Sequence, residues 1–361
     1  MYKFIKNIVE QYNLNINSRI INNYDFRAYS YGKYIEPDME QLKKGCESYF
    51  SFFILNAHKF FTTYNLLNNN ESKKLFVNLI LYRSLGYFRF KIEEDYDWTD
   101  EVDMFENIKK YYISESSINS HGLYGELGHF ENVPFADRLL NLECWSANIV
   151  SFLYRKQYYY GIGGVEVKPE YGDIVIDAGA CFGDTAINFA ATVGDEGHVY
   201  TFDPLVEHIE IARHNIFQNS MSEIITVVPC GLGNYNNNTA YNRGEKQSSN
   251  VNPAFSLNQN ENIDLFSIRT IDFVCTEQNI NKIDFIKMDI EGFELEALKG
   301  AFNTIKKNLP KLAISLYHKL EDFYEIPDWI KSNFPEYQFY LGHHTIHAGE
   351  TILYCIAKSH D

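Results

Sequence analysis

GDIVIDAGACFGD, residues 172–184, is the stretch whose reading decides the fold. Ile174, Val175 and Ile176 form a β-branched apolar run too short for a helix, with Gly-Asp before it and Asp-Ala-Gly after it. That pattern predicts a strand buried on both faces of a parallel sheet. Gly179 and Gly183 follow at a spacing that permits a tight turn and close approach of a ligand to the backbone. Asp184-Thr185 then opens an amphipathic run through Ala186, Ile187, Phe189, Ala190 and Ala191, which predicts a capped helix. Strand, glycine loop and helix N-terminus in this order predict a nucleotide-cofactor site in a doubly wound α/β sheet.

Downstream the rhythm stays strand–helix–strand. His198–Phe202, Glu223–Val228, Ile283–Met288 and Leu312–Leu316 read as further strands, with helices at Leu205–Phe217 and Asp322–Phe334. Leu295, Leu298, Phe302 and Ile305 make one apolar stripe, which predicts a single helix from Glu291 to Lys307 with acids at its start and lysines at its end. Ser267–Ile271 reads as a short strand leading into a small helix, and Tyr337–Leu341 and Ile352–Ile356 as two last strands. The Asn-rich segment Asn234–Asn262 has the composition of a mobile loop or lid.

Residues up to about 150 differ in character. They are rich in Asn, Tyr and Phe and show helical spacings over Met39–Leu67, Ser72–Leu85 and Val102–Tyr112. Asp95–Asp103 reads as an acidic turn, and the stretch through Gly128 as a Ser/Asn/Gly-rich connection. The division expected is a mainly helical extension over residues 1–160, serving as substrate cap or oligomerisation region, and a catalytic domain over 161–361. Trp145 and Tyr158–Tyr160 suit a pocket lining, although packing is the commoner use of such aromatics.

Composition narrows the class. The 361 residues are 45% apolar, enough for a sizeable core, and the net charge of −16 opposes a phosphate-backbone partner. Six scattered cysteines without a CxxC pair read as reduced, mostly buried thiols. The N-terminus lacks the apolar core of a signal peptide, and no stretch has the length of a membrane span, so a cytoplasmic protein is expected.

The loop reads Asp-x-Gly-x-x-x-Gly, and the missing middle glycine counts against a dinucleotide pyrophosphate. Asp177 at the strand end suits a cationic or amino-bearing ligand. Asp203, 20 residues after Gly183, stands where an acid can accept from ribose hydroxyls. Asp289-Ile290-Glu291 ends another strand and points to the same crevice.

The segment from about Gly172 to Lys358 resembles the FkbM family of S-adenosylmethionine-dependent methyltransferases. The resemblance is carried by VIDAGACFGDTA, TFDPLVEHIEIARHN, VPCGLG, IDFIKMDIEGFELEALKGA, PKLAISLYHK and HHTIHAGETILY. It implies a class I (Rossmann-like) methyltransferase fold, a mostly parallel seven-stranded sheet whose last strand is antiparallel. It further implies that Asp177, Gly179, Ala180 and Gly183 hold the methionine part of S-adenosyl-L-methionine; Asp184 and Asp289 are also expected to contact the cofactor. Asp203 would hold the ribose, although relatives often carry Glu there, and Cys230, Gly231 and Leu232 would border the adenine. Packing is an equal use for Cys230.

The chemistry expected is methylation of a hydroxyl on a sugar, glycan or related secondary metabolite. Such a hydroxyl needs a base within hydrogen-bond reach. His318 is the first candidate, ahead of His343, His344 and His347, with Asp289 positioning substrate or cofactor. Asp289, Glu291 and a histidine could instead bind a divalent metal, which is the less favoured arrangement. The rivals are an NAD-dependent oxidoreductase and a non-catalytic cofactor-binding module. The partners expected are a small-molecule or glycan acceptor, no nucleic acid and no membrane span; a homo-oligomer is left open.

Overall fold

The structure is a computed structural model that describes residues 1–18, 39–92, 98–118, 127–242, 263–345 and 348–358. Seven strands make the main sheet: β1 (Ile174–Ala178), β2 (His198–Phe202), β3 (Ile225–Val228), β4 (Phe285–Met288), β5 (Lys311–Ser315), β6 (Tyr337–His343) and β7 (Thr351–Ala357). Their order is β6-β7-β5-β4-β1-β2-β3. Strands β1 to β5 pair in parallel, whereas β6 and β7 form an antiparallel hairpin. The α/β class and the mostly parallel seven-stranded sheet are therefore as the sequence predicts. Because β2 and β3 lie on one side of β1 and β4 on the other, the chain changes direction beside β1. In open α/β sheets ligands bind at the carboxyl ends of the strands flanking such a point.

The chain divides into two compact units, Ile108–Ile314 and a second made of Met1–Asn107 with Ser315–Asp361. In the first, α1 (Asp184–Val193) and α2 (Val206–Gln218) follow β1 and β2, and α3 (Ile271–Glu277), α4 (Glu294–Gly300) and α5 (Phe302–Asn308) accompany β4. Val175, Ile176, Phe285 and Ile286 are fully buried in the strands, as are Ala186, Ile187 and Ala190 on α1. An antiparallel sheet of Tyr112–Glu115, Gly128–Phe135 and Arg138–Cys144 lies in the same unit. Asn215 of α2 fixes it: its Oδ1 accepts from the Glu143 amide at 2.7 Å, and its Nδ2 donates to the carbonyls of Glu143 (3.0 Å) and Phe182 (2.8 Å).

In the second unit the helices Tyr2–Asn15, Met39–Leu55, Ala57–Leu66 and Asn70–Leu85 accompany α6 (Asp322–Asn333) and the β6–β7 hairpin. Phe53, Phe60, Phe76 and Phe323 form a ring cluster with centroids 5.3–6.5 Å apart. Asn68 exchanges hydrogen bonds with the Phe339 backbone, and Ser72 Oγ accepts from the Leu341 amide, so backbone groups of the edge strand β6 are covered.

Several sequence expectations need correction. The stripe from Leu295 to Ile305 runs across two helices, because the backbone leaves helical geometry at Ala301; periodicity of side chains cannot register a one-residue break. Part of the segment expected to be a lid is a strand: Asn237–Asn242 pairs antiparallel with Ile263–Arg269. Polar composition reports solvation, and strand pairing is made by backbone groups. The remainder, 243–262, lies outside the described residues. Trp98–Ile108 is helical where an acidic turn was expected through Asp103; acidic residues suit the first turn of a helix as well as a loop. Helix α1 starts after Gly183 without a side-chain cap. The three strands between Tyr112 and Cys144 were not foreseen.

Replacing Asn215 with Ala should leave buried carbonyl and amide groups unpaired at about 1–3 kcal/mol each. We expect urea denaturation to show a loss of about 3 kcal/mol or more, with the slope on denaturant unchanged.

Candidate active site at the carboxyl ends of β1, β2 and β4

Asp177, the fourth residue of β1, stands opposite Lys287 of β4 in the register. Both side chains are buried, and Lys287 Nζ lies 3.1 Å from Asp177 Oδ1. The ammonium also donates to the carbonyls of Ala178 (3.1 Å) and Gly179 (2.8 Å). The other oxygen of Asp177 accepts from Thr185 Oγ1 (2.9 Å) and Thr201 Oγ1 (2.8 Å). Burial alone would lower the pKa of Lys287, but the carboxylates of Asp177 and Asp289 outweigh it and raise the pKa. The cation that the sequence demanded for Asp177 is thus supplied from inside the protein.

That loop is shaped by two close approaches. Gly179 has φ +93°, and a Cβ there would sit 1.9 Å from the Asp289 carbonyl oxygen. The Asp289 amide in turn donates to the Ala178 carbonyl at 3.0 Å. Gly183, at φ +76°, lets α1 pass Ala212 of α2, whose Cα would be 3.0 Å from an added Cβ. Both glycines therefore have reasons within the fold. Ala180 is buried, its amide donating to the Phe202 carbonyl at 2.9 Å. Asp184 is buried at the start of α1, accepting from Asn148 Nδ2 and from the Thr185 amide, and burial pushes its pKa up to about 6.

Asp203 follows β2 and is 6% exposed. One oxygen accepts from the Leu205 amide (2.9 Å), the other from the Cys181 amide (3.1 Å) and from His208 Nδ1 (2.9 Å). Burial by itself would lower the pKa of His208; the Asp203 carboxylate reverses this and raises it. Gly231 and Leu232 form a short strand parallel to Ile268–Arg269, and the thiol of Cys230 is buried, which pushes its pKa up to about 12. Asp289, at the end of β4, is half-buried and accepts at Oδ2 from Tyr158 Oη at 2.6 Å. Glu291 is exposed and has φ +57°. It is Glu294 that folds back, accepting from the amides of Ile290 (2.8 Å) and Gly292 (3.3 Å).

Asp177, Gly179, Ala180, Gly183, Asp184, Asp203, Gly231, Leu232 and Asp289 thus all belong to the Ile108–Ile314 unit. The histidines belong to the other unit. His318 is half-buried beyond β5, its ring 4.1 Å from that of Tyr317. His343 and His344 each commit a ring nitrogen to the partner strand, to Thr351 Oγ1 (2.9 Å) and Tyr354 Oη (2.7 Å). His347 lies outside the described residues. Sequence reasoning missed Lys287, Thr185, Thr201, His208 and the role of Tyr158. A lysine inside the apolar run FIKM was the available signal, because a charge in a buried strand needs a buried partner.

This arrangement is the class I methyltransferase fold, and part of the chain matches a family model. Residues 177–339 match the family model described as the methyltransferase FkbM domain. Among solved structures, methyltransferase FkbM from Methylobacillus flagellatus KT matches with a TM-score of 0.52 at 20% identity, over 85% of this chain and 60% of that one. The chain therefore spans about 60% of that relative's length. The O-methyltransferase from Bacillus cereus in complex with SAH matches at 12% identity with a TM-score of 0.35, over 71% of this chain and 91% of that one. A likeness of that size adds nothing to the argument. No curated protein matches the chain.

The Lys287–Asp177 pair supplies a test of the site's foundation. Lys287→Met should strand a buried carboxylate and lower unfolding free energy by about 3–5 kcal/mol. Adding Asp177→Asn should recover a good part of the loss in the same denaturation experiment.

Proposed function

We propose that this protein is an S-adenosyl-L-methionine-dependent methyltransferase that methylates a hydroxyl of a sugar, glycan or related secondary metabolite. One observation carries the cofactor reading. Around the Gly179 loop Asp177, Asp184, Asp203 and Asp289 outnumber the cations Lys287 and His208, and Lys287 is turned to Asp177 and two loop carbonyls. An acidic, donor-poor site of this kind suits a ligand bearing an ammonium, a sulfonium and a ribose diol. It opposes a pyrophosphate, which needs free donors and positive charge.

When bound, S-adenosylmethionine supplies a methyl group activated by its sulfonium. In this reading Asp289 and the Gly179–Gly183 loop receive the methionine part. Asp203, held in place by His208, accepts from the ribose, and Cys230, Gly231 and Leu232 border the adenine. His318 takes the proton of the acceptor hydroxyl. Its position in the chain, three residues past the end of β5, supports that role. Residues 1–160 are read as a substrate cap or an oligomerisation region. Among the described residues no helix is long and apolar enough to cross a membrane.

Calorimetry should register binding of S-adenosylmethionine and S-adenosylhomocysteine and none of NAD. Binding of NAD alone would replace this reading with an oxidoreductase. For the base, His318→Ala should slow methyl transfer from labelled S-adenosylmethionine into a glycan extract by ~10²-fold and leave cofactor affinity nearly intact. If EDTA abolishes transfer while His318→Ala retains it, a metal at Asp289 and Glu291 takes over that task.

A further inference from the structure

Tyr158 lies before the matched domain, in a segment anchored to α1 at several points. Asn188 Nδ2 donates to the Phe152 carbonyl at 2.6 Å, Asn148 donates to Asp184, and Tyr159 Oη meets Thr192 Oγ1 at 2.8 Å. The backbone turns sharply at Lys156, where φ is +51°, and delivers Gln157 and Tyr158 to the interior. The Tyr158 ring stacks on Phe152 at 5.7 Å and meets Phe189 edge-on at 6.3 Å. Lys287 Nζ lies 5.0 Å from its centroid.

The hydroxyl is placed by chemistry as well as by packing. Gln157 Nε2 lies 3.2 Å from Tyr158 Oη and, being an amide nitrogen, can only donate. The single hydrogen of the phenol is therefore left for Asp289 Oδ2, 2.6 Å away. A half-buried aspartate at a strand end otherwise has freedom about both side-chain torsions. Here one oxygen is tied to a ring that is itself clamped between Phe152, Phe189 and the Lys287 ammonium. The same ammonium grips the Ala178 and Gly179 carbonyls, so Tyr158 bears on both sides of the crevice: on Asp289 through its hydroxyl and on the glycine loop through Lys287.

We infer that Tyr158 is a positioning residue of the methyl-transfer site, holding the Asp289 carboxylate in the orientation that receives the ammonium of the cofactor's methionine part. This rests on the methyltransferase reading above. As a positioning residue Tyr158 acts through its neighbours, its hydroxyl by way of Asp289.

A double-mutant cycle on cofactor affinity tests it, with S-adenosylmethionine as the calorimetric ligand and the full chain as the protein. Tyr158→Phe keeps the ring over Lys287 and removes only the hydroxyl. It should weaken binding about tenfold in the otherwise unaltered protein and less than twofold in an Asp289→Ala background. A ring or scaffold role would give equal losses in both backgrounds, and that result overturns the inference, as does unchanged affinity in the single variant. Should Tyr158→Phe fail to fold, Tyr158→Leu also removes the hydroxyl and is read by the same criterion of dependence on Asp289. Failure of the unaltered protein to bind S-adenosylmethionine overturns the methyltransferase reading itself, a different result from a flat cycle.

Discussion

The Lys287–Asp177 ion pair is the constraint on which the rest of the site depends. Two charges in the middle of a parallel sheet are costly to desolvate, and good geometry with further hydrogen bonds is needed to offset that cost. Here the ammonium faces one carboxylate oxygen at 3.1 Å and donates to two loop carbonyls, while the other oxygen takes two threonine hydroxyls. The arrangement works only with Asp177 and Lys287 side by side in the β1–β4 register. A slip by one residue would turn the lysine to the opposite face of the sheet. The pair thus specifies alignment at the point where strand order reverses and fixes the path of the glycine loop that leaves β1.

From that fixed path the remaining geometry follows. With the Gly179 carbonyl turned to Lys287, the Asp289 carbonyl closes on the Gly179 Cα so tightly that no side chain fits. The approach brings the end of β4 against the loop and puts the Asp289 side chain beside it. The glycines are therefore required twice over, by the backbone approach seen here and by any ligand that lies on the loop. Sequence spacing alone could not separate these causes, since both ask for the same residue.

What was legible in the sequence was whatever depends on local pattern. The β-branched run before Gly179 identified the central strand, and the strand–helix rhythm after it gave the sheet and its class. Invisible were the features that depend on two distant segments meeting. Lys287 looked like an interruption in an apolar strand until Asp177 was found opposite it. His208 looked like one polar position on a helix, yet it pairs with Asp203 five residues earlier. The strands at Tyr112–Glu115, Gly128–Phe135 and Arg138–Cys144 escaped because their side chains do not alternate cleanly; a bulge shifts the register between Phe130 and Val133. The joining of the first 107 residues with the last 47 into one compact unit is a matter of tertiary contact that no local window reports.

The Asp203 carboxylate shows how far a residue's type can mislead about its availability. A carboxylate has about four lone-pair directions, and the Cys181 amide, the Leu205 amide and His208 take up three of them. A glutamate would extend one methylene further from the same backbone and reach a ribose diol with both oxygens. The shorter aspartate stays close to the turn that follows β2 and spends most of its capacity organising it. In the methyltransferase reading proposed above, Asp203 would therefore offer the ribose one lone-pair direction beside His208, and more of the cofactor's affinity would have to come from the other end of the ligand. That would shift weight onto Asp289 and the loop, the parts of the site next to the buried ion pair.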